Sequence, residues 1–320
     1  MSWQPTASFE ALRQRAEALT AVRRFFAARQ VLEVQTPALV RHPVTDVHLH
    51  SAEVHLPGHS AALYLHTSPE YAMKRLLAAG SGDIYQIAQV FRGDESSRLH
   101  NPEFTLIEWY RCGHSMTQLM HEVAELTQLL LALPPGSPYE AVSYSQAFER
   151  ELDCDPLQAD ETRLRQLAVS RGLTAALAAR CQRDELLDWL MGCVLGPGLG
   201  LQQLCFVHRY PASQAALARI DPADPRVALR FELYSAGVEL ANGFEELSDA
   251  AEQRSRFEHD LTERARRGLP GLPMDRALLQ ALEHGLPAVA GVALGFDRVL
   301  MLRLGARSLD QVLAFPLDRA

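Results

Sequence analysis

Residues 83–111 restrict what this chain can become more than any other stretch. "DIYQIAQVFR" and "FTLIEWYR" alternate with the period of two that a β-strand requires, and about ten residues of charge and turn formers separate them. A tight hairpin turn needs far fewer, and loops of this length in compact domains are commonly functional. In the second strand alternation sets Phe104, Leu106, Glu108 and Tyr110 on one face; in the first, Gln86, Ala88, Val90 and Arg92 share a face. If the two faces coincide, one surface offers an aromatic plate, a guanidinium, a carboxylate and a phenol. Arginine can hold a phosphate bidentately, a ring can stack a base and a carboxylate can pair with an amine. The same residues also suit a wet outer face with an incidental ion pair.

The flanking sequence predicts an α+β fold. Ser8 is a plausible N-cap, and apolar residues recur at Phe9, Leu12, Ala16, Leu19, Val22 and Phe26, the spacing of a long amphipathic helix. "VLEVQTPAL" reads as a short strand whose Pro37 belongs at an edge or end, and "EYAMKRLLAAG" as a helix stopped by Gly80. From about 115 to 200 lie helical segments ("SMTQLMHEVAELTQLLLAL", "ADETRLRQLAVSRG", "RDELLDWLMGCVLG") broken by "LPPGSP" and "GPGLG", which suggests a helical insertion within a single domain, 1–320. Strands resume at "LCFVHRYP", "ALRFELYSAGVELANGF" and "AVAGVALG". Hairpin strands with helices grouped between them indicate a largely antiparallel sheet.

Charge and cysteine usage narrow the function classes. Thirty-one basic against 39 acidic residues give a net charge of -8, so nothing global draws the chain to a phosphate backbone. Five cysteines without a C-x-x-C pattern suggest neither a disulfide framework nor a zinc knuckle, and fit a reducing cytoplasm. The N-terminus has no signal-peptide pattern and no apolar run approaches a membrane span, so neither export nor membrane insertion is expected.

Two further patches carry chemistry. "AVAGVALGFDRVLML" places Val289, Gly291, Ala293 and Gly295 on one nearly bare strand face and then delivers Arg298 in the first turn of a helix. Small residues at that period let something flat approach the backbone, or a helix pack closely. "GVELANGFEEL" brings Glu239, Asn242, Glu245 and Glu246 together around an expected turn at Asn242-Gly243, where carboxylate oxygens would suit magnesium or simply be solvated. His48, His50, His55, His59 and His66 lack a third ligand at a recognisable spacing and read as strand and loop histidines. Arg264, Arg266 and Arg267 read as a solvated helix end.

In order along the chain, these patches resemble the three signature motifs of class II aminoacyl-tRNA synthetases: "VLEVQTPAL" motif 1, "FRGDESSRLHNPEFTLIEWY" motif 2 and "GVALGFDRVLML" motif 3. "HNPEFT", the "PE" of "TSPEYAMKRLL" and "E-x-x-N-G-F-x-E-L" are similar to lysyl-tRNA synthetases. Motif 1 begins near residue 31, which leaves no room ahead of it for an anticodon-binding domain. That truncation, with Ser68 and Ala293 where lysyl-tRNA synthetases commonly have alanine and glycine, resembles the elongation factor P β-lysine ligases.

The resemblance implies a synthetase catalytic core that activates (R)-β-lysine with ATP and Mg2+ and transfers it to a lysine of elongation factor P, as a cytoplasmic homodimer without tRNA. It implies that Arg92 grips the α-phosphate, that Phe104 and Arg298 sandwich the adenine, that Asp94 and Asn101 hold the nucleotide, and that Gly295 makes room for it. It also implies Glu239 and Glu246 as magnesium carboxylates and the backbone at Leu240 beside ATP. Substrate contacts would come from Ser68, Pro69, Glu70, Glu108, Tyr110, Glu246 and Ala293. Asp94 stands where motif 2 usually has glutamate, one methylene shorter, with Glu95 adjacent. Activation of lysine for tRNA or a free amine, and a catalytically silent synthetase-like subunit, are the other readings; intact Arg92, Glu239, Glu246 and Arg298 speak against the silent one.

Overall fold

The computed structural model describes residues 3–58, 61–93 and 96–320, so His59, Asp94 and Glu95 lie outside the described residues. In chain order the elements begin α1 (Phe9–Ala27), β1 (Leu32–Glu33), β2 (Leu39–Val40), β3 (Glu53–Val54), β4 (Leu63–Leu65), α2 (Glu70–Ala78), β5 (Ile84–Phe91) and β6 (Glu103–Cys112). They continue α3 (Met116–Leu131), β7 (Tyr139–Ser143), α4 (Tyr144–Leu152), α5 (Glu161–Ser170), α6 (Ala175–Ala178), α7 (Arg183–Leu190), β8 (Leu204–His208), β9 (Arg230–Ser235) and β10 (Val238–Glu245). They end with α8 (Ala250–Arg266), α9 (Arg276–His284), β11 (Val289–Gly295) and α10 (Phe296–Arg303). Two compact units divide them: unit 1 is Met1–His114, Leu126–Leu133 and Ser248–Ala320, and unit 2 is Ser115–Glu125 and Pro134–Leu247.

In unit 1, Ser8 caps α1 as expected, its Oγ accepting the Ala11 N–H at 3.1 Å. The helix buries Ala11, Ala18, Val22, Phe25 and Phe26, residues at helical spacing on one face. Phe26 stacks on Tyr85 of β5 at 4.3 Å and meets Trp109 of β6 edge-on at 5.4 Å, so α1 is pinned to the strands that carry the long loop. Strand order is β1-β5-β6-β11, with β1 parallel to β5 and the rest antiparallel. Pro37 falls between β1 and β2, outside both strands, where its missing N–H is harmless.

Register decides which side chains meet. Opposite Phe104, Leu106 and Glu108 of β6 stand Val90, Ala88 and Gln86 of β5, so the two alternating faces coincide. On the other side of β6, Gly295, Ala293 and Gly291 of β11 stand opposite Leu106, Glu108 and Tyr110, which puts the bare stripe on that same face. α10 starts at the residue after β11, so Arg298 is fixed in direction by the strand before it.

In unit 2 the order is β10-β9-β8-β7, antiparallel except for β7 with β8. α4 to α7 bury Phe148, Leu164, Leu186 and Leu190 in one apolar core. The helix expected over 183–196 is regular only to Leu190 and continues as a π-helical turn, Met191–Leu195.

The expected turn at Asn242-Gly243 is a correction. Both residues lie within β10, paired with Glu232 and Phe231 of β9, and the chain reverses instead at Ala236 and Gly237, with φ of 49° and 73°. Ladder pairing on β9 overrides the local turn preference of Asn-Gly. Gly237 is required there: a Cβ would lie 2.8 Å from the Pro197 carbonyl oxygen. Among the described residues, no helix is long and apolar enough to cross a membrane.

Candidate active site

The acid pocket of unit 1 is assembled by the start of α2 and the centre of β6. Glu108 is 2% exposed, and its two carboxylate oxygens accept from the Ser68 hydroxyl and the Tyr110 hydroxyl, each at 2.7 Å. Ser68 Oγ in turn accepts the Glu70 N–H at 3.0 Å, and Glu70 accepts from Lys74 Nζ at 2.6 Å. Pro69 occupies the N-cap position of α2 and puts Glu70 in its first turn, where the helix dipole favours an acid. Burial, and then the Glu70 charge, push the Glu108 carboxyl up to about 7, against the Tyr110 and Ser68 hydrogen bonds and the Lys74 charge that pull it down. A buried acid held near neutrality beside a second acid is suited to receiving an amine, which restores its charge.

Beside the pocket on the same sheet face, Ala88, Val90 and Leu106 form a small apolar cluster with Phe104 and Ala293 packed against it. The Arg92 guanidinium lies 5.1 Å from the Phe104 ring centroid, a cation–π arrangement, and the Arg92 backbone N–H donates to the Pro102 carbonyl at 2.9 Å. Arg298 reaches from α10 to the same loop: Nε donates to the Leu99 carbonyl at 3.2 Å and a terminal nitrogen lies 2.7 Å from His100 Nε2. Asn101 ties the loop down, donating to the Glu103 carbonyl at 2.6 Å and accepting the Leu317 N–H at 3.1 Å. A ring and two guanidiniums are thus gathered at one loop and sheet edge, while Asp94 lies outside the described residues.

In unit 2 the carboxylates arrange differently from expectation. Glu239 is the second residue of β10, and Glu246 follows the strand's last residue. Glu245 is committed to Arg219 at 2.6 Å and to the Met116 N–H at 2.9 Å. Leu240 is the residue that the register skips between Glu239 and Ala241, a bulge that takes its backbone out of the ladder.

Glu232 is an acid the sequence reading did not single out. It faces Asn242 across β9 and β10, while Glu239 faces Tyr234, so the two carboxylates are diagonal neighbours on one face. Burial raises the Tyr234 hydroxyl well above its ordinary value, helped by the charges of both Glu232 and Glu239. Glu232 is bound by Arg230 at 2.6 Å and by the Tyr234 hydroxyl at 2.7 Å, and Arg230 lies over the Tyr210 ring at 4.4 Å. The signal for it was present in "RFELY", whose alternation puts Arg230, Glu232 and Tyr234 on one face. Lys74 was also legible, one helical turn after Glu70. Asp297 was not: its partner Arg15 is 282 positions away.

Residues 2–319 match the family of tRNA synthetases class II (D, K and N). The chain is 53% identical over its full length, and over 98% of the relative, to a protein named elongation factor P--(R)-beta-lysine ligase from Edwardsiella ictaluri (strain 93-146). It is 51% identical, with the same coverage, to proteins of that name from Klebsiella pneumoniae (strain 342) and Salmonella paratyphi A (strain ATCC 9150 / SARB42). Motif order, sheet register and sequence identity converge: the chain belongs to the class II tRNA synthetases.

Proposed function

We propose that this chain is an ATP-dependent ligase that activates (R)-β-lysine as its adenylate and transfers it to the ε-amine of a lysine of elongation factor P. The observation that carries this reading is the shared face of β5, β6 and β11, where an acid pocket for an amine adjoins an aromatic ring flanked by small residues. The names of relatives matching the whole chain support the choice of substrate and acceptor.

In the first half-reaction a carboxylate oxygen of β-lysine attacks the α-phosphorus of ATP, the bond to the bridging oxygen breaks and pyrophosphate leaves. Catalysis of this kind is largely positioning and charge neutralisation. Arg92 meets the α-phosphate once nucleotide draws it from the Phe104 ring, and Phe104 with Arg298 encloses the adenine, with Gly295 leaving space. Ser68, Pro69, Glu70, Glu108 and Tyr110 orient the substrate amine, and the Ala293 methyl, opposite Glu108, selects where that amine sits. In the second, the acceptor amine attacks the carbonyl carbon of the mixed anhydride, AMP departs with the electron pair and the nitrogen loses a proton.

Hard oxygen donors fit magnesium, which supplies charge neutralisation at the phosphates. Glu239 and Glu246 are the carboxylates this reading assigns to it, and Glu246, 6% exposed, is also a substrate acid. A homodimer in the cytoplasm, with neither tRNA nor membrane as partner, completes the reading. Motif 1 supports the dimer, and the outer face of α1 carries a groove of about 620 Å³ lined by Ala16, Glu17, Thr20, Ala21, Arg24, Phe25 and Leu129.

Purified protein incubated with ATP, Mg2+, either lysine isomer and elongation factor P gives the test, read by intact mass of the factor. A gain of one lysyl group with the β isomer is expected. An unmodified factor with both isomers overturns the proposal.

A further inference from the structure

Lys74 is a buried cation to which the reaction above gives no part. It is 1% exposed, and its ammonium lies 2.6 Å from Glu70 Oε1. An ammonium held out of water is retained only beside a compensating charge, and an acid four residues earlier on a helix is well placed to supply it. Through Glu70 the lysine joins a continuous chain: the Glu70 N–H binds Ser68 Oγ, the Ser68 hydroxyl binds Glu108, and Tyr110 binds the other Glu108 oxygen.

Two carboxylates facing one resident ammonium leave one negative charge uncompensated when both acids are ionised. Without that ammonium the acids would share a proton or invite a dication. We propose that Lys74 is a positioning and specificity-determining residue: by pairing with Glu70 it reserves Glu108 for a single substrate ammonium, so this pocket accepts one amine. The inference rests on the amine-activating reading above and deepens it.

The groups facing Glu108 are Ser68, Glu70 and Lys74 from the start of α2, Tyr110 on its own strand, Gln86 on β5 and Ala293 on β11. Gln86 is neutral and its carbonyl oxygen is taken by Thr36, whose N–H and hydroxyl lie at 3.1 and 3.0 Å. Lys74 is therefore the cation in this set. Removing its charge removes a downward pull on the Glu108 carboxyl, and the pH at which the pocket gains its anion moves up.

The test compares the full chain with Lys74→Met and Lys74→Arg in lysine-dependent ATP–pyrophosphate exchange across neutral pH, varying amine and ATP separately. Lys74→Met is expected to raise KM for the amine about tenfold, leave KM for ATP within roughly twofold, and move the acid limb of kcat/KM for the amine up by about half a unit or more. Lys74→Arg keeps the charge and the acid limb. Should Lys74→Met fail to fold, Lys74→Gln replaces it under the same criteria. An unmoved acid limb in the neutral variant, a moved limb in the arginine variant, or equal losses for amine and ATP overturns the inference. Wild type without exchange on either lysine isomer overturns the functional reading and this inference with it.

Discussion

Asp297 accepts the Thr105 N–H at 2.7 Å, and so fastens the residue after Phe104 to the residue before Arg298. The two groups assigned to opposite faces of the adenine are held at a fixed separation by one carboxylate that is 2% exposed. Arg15 of α1 closes the arrangement, pairing with Asp297 and donating to Thr105 Oγ1 at 2.6 Å. Removing one partner from a buried ion pair leaves the other uncompensated and costs about 3–5 kcal/mol. Asp297→Ala is therefore expected to lose stability on that scale in denaturant titration and to raise KM for ATP. A variant with wild-type stability would show the carboxylate to be dispensable.

Phe104 presents its ring to Arg92, at the start of the loop that Arg298 of α10 also contacts. Base stacking on an aromatic side chain contributes about 1–3 kcal/mol, or about fivefold to 150-fold. Phe104→Ala should raise KM for ATP by that factor and leave KM for the amine nearly unchanged. Steady-state exchange kinetics with each substrate varied separates the two.

Glu108 makes stability depend on pH with a definite sign. Its folded carboxyl, raised to about 7 from an ordinary 4.5, binds its proton more tightly than in the unfolded chain. That contribution is complete below about pH 4.5 and is lost as pH rises through about 7, for a difference of about 3 kcal/mol at most. Glu108→Gln does not titrate, so its stability relative to wild type should increase from acid to mildly alkaline pH. Thermal melts across that range showing a constant gap would contradict the raised carboxyl.

Ala293 stands opposite Glu108 on the bare strand. Overpacking by one methyl costs about 1–3 kcal/mol, or about fivefold to 150-fold in discrimination. Ala293→Gly should narrow the preference for β-lysine over α-lysine by that order in ATP–pyrophosphate exchange. An unchanged ratio removes the methyl from the account of selectivity.

Gly200, at φ +68°, lies against the β9–β10 turn, where a Cβ would be 2.5 Å from the Tyr234 carbonyl oxygen. The left-handed conformation and the backbone clash both oppose a side chain. Gly200→Ala should destabilise the protein by about 2–4 kcal/mol, read as a lowered Tm.

What the sequence revealed, and what it hid, follows from the range of the interactions. α1, β5, β6 and β11 were legible because one face repeats at the period of the element, and that same period put Phe104 and Glu108 on one face, while only the register of β11 on β6 brought Ala293 to it. Asn242-Gly243 misled because a local turn signal lost to strand pairing with residues the sequence does not mark as partners. That error gathered Glu239, Asn242, Glu245 and Glu246 at a turn, whereas Asn242 faces Glu232 across the ladder. Asp297 was beyond reach because its meaning comes from Arg15 and Thr105, which only the folded chain brings beside it.

The contact between Arg298 and the loop at Leu99 and His100 has a consequence for how a nucleotide enters. Nε of a guanidinium has one hydrogen, and the main-chain oxygen of Leu99 accepts it. His100 Nε2, receiving a hydrogen from the same guanidinium, leaves its Nδ1 hydrogen to Ser97 Oγ at 2.7 Å, so the latch extends from helix to loop through one neutral imidazole. Whatever recruits that Nε must first displace the loop. Transfer of that hydrogen to a ligand and release of the loop are thus two sides of one exchange.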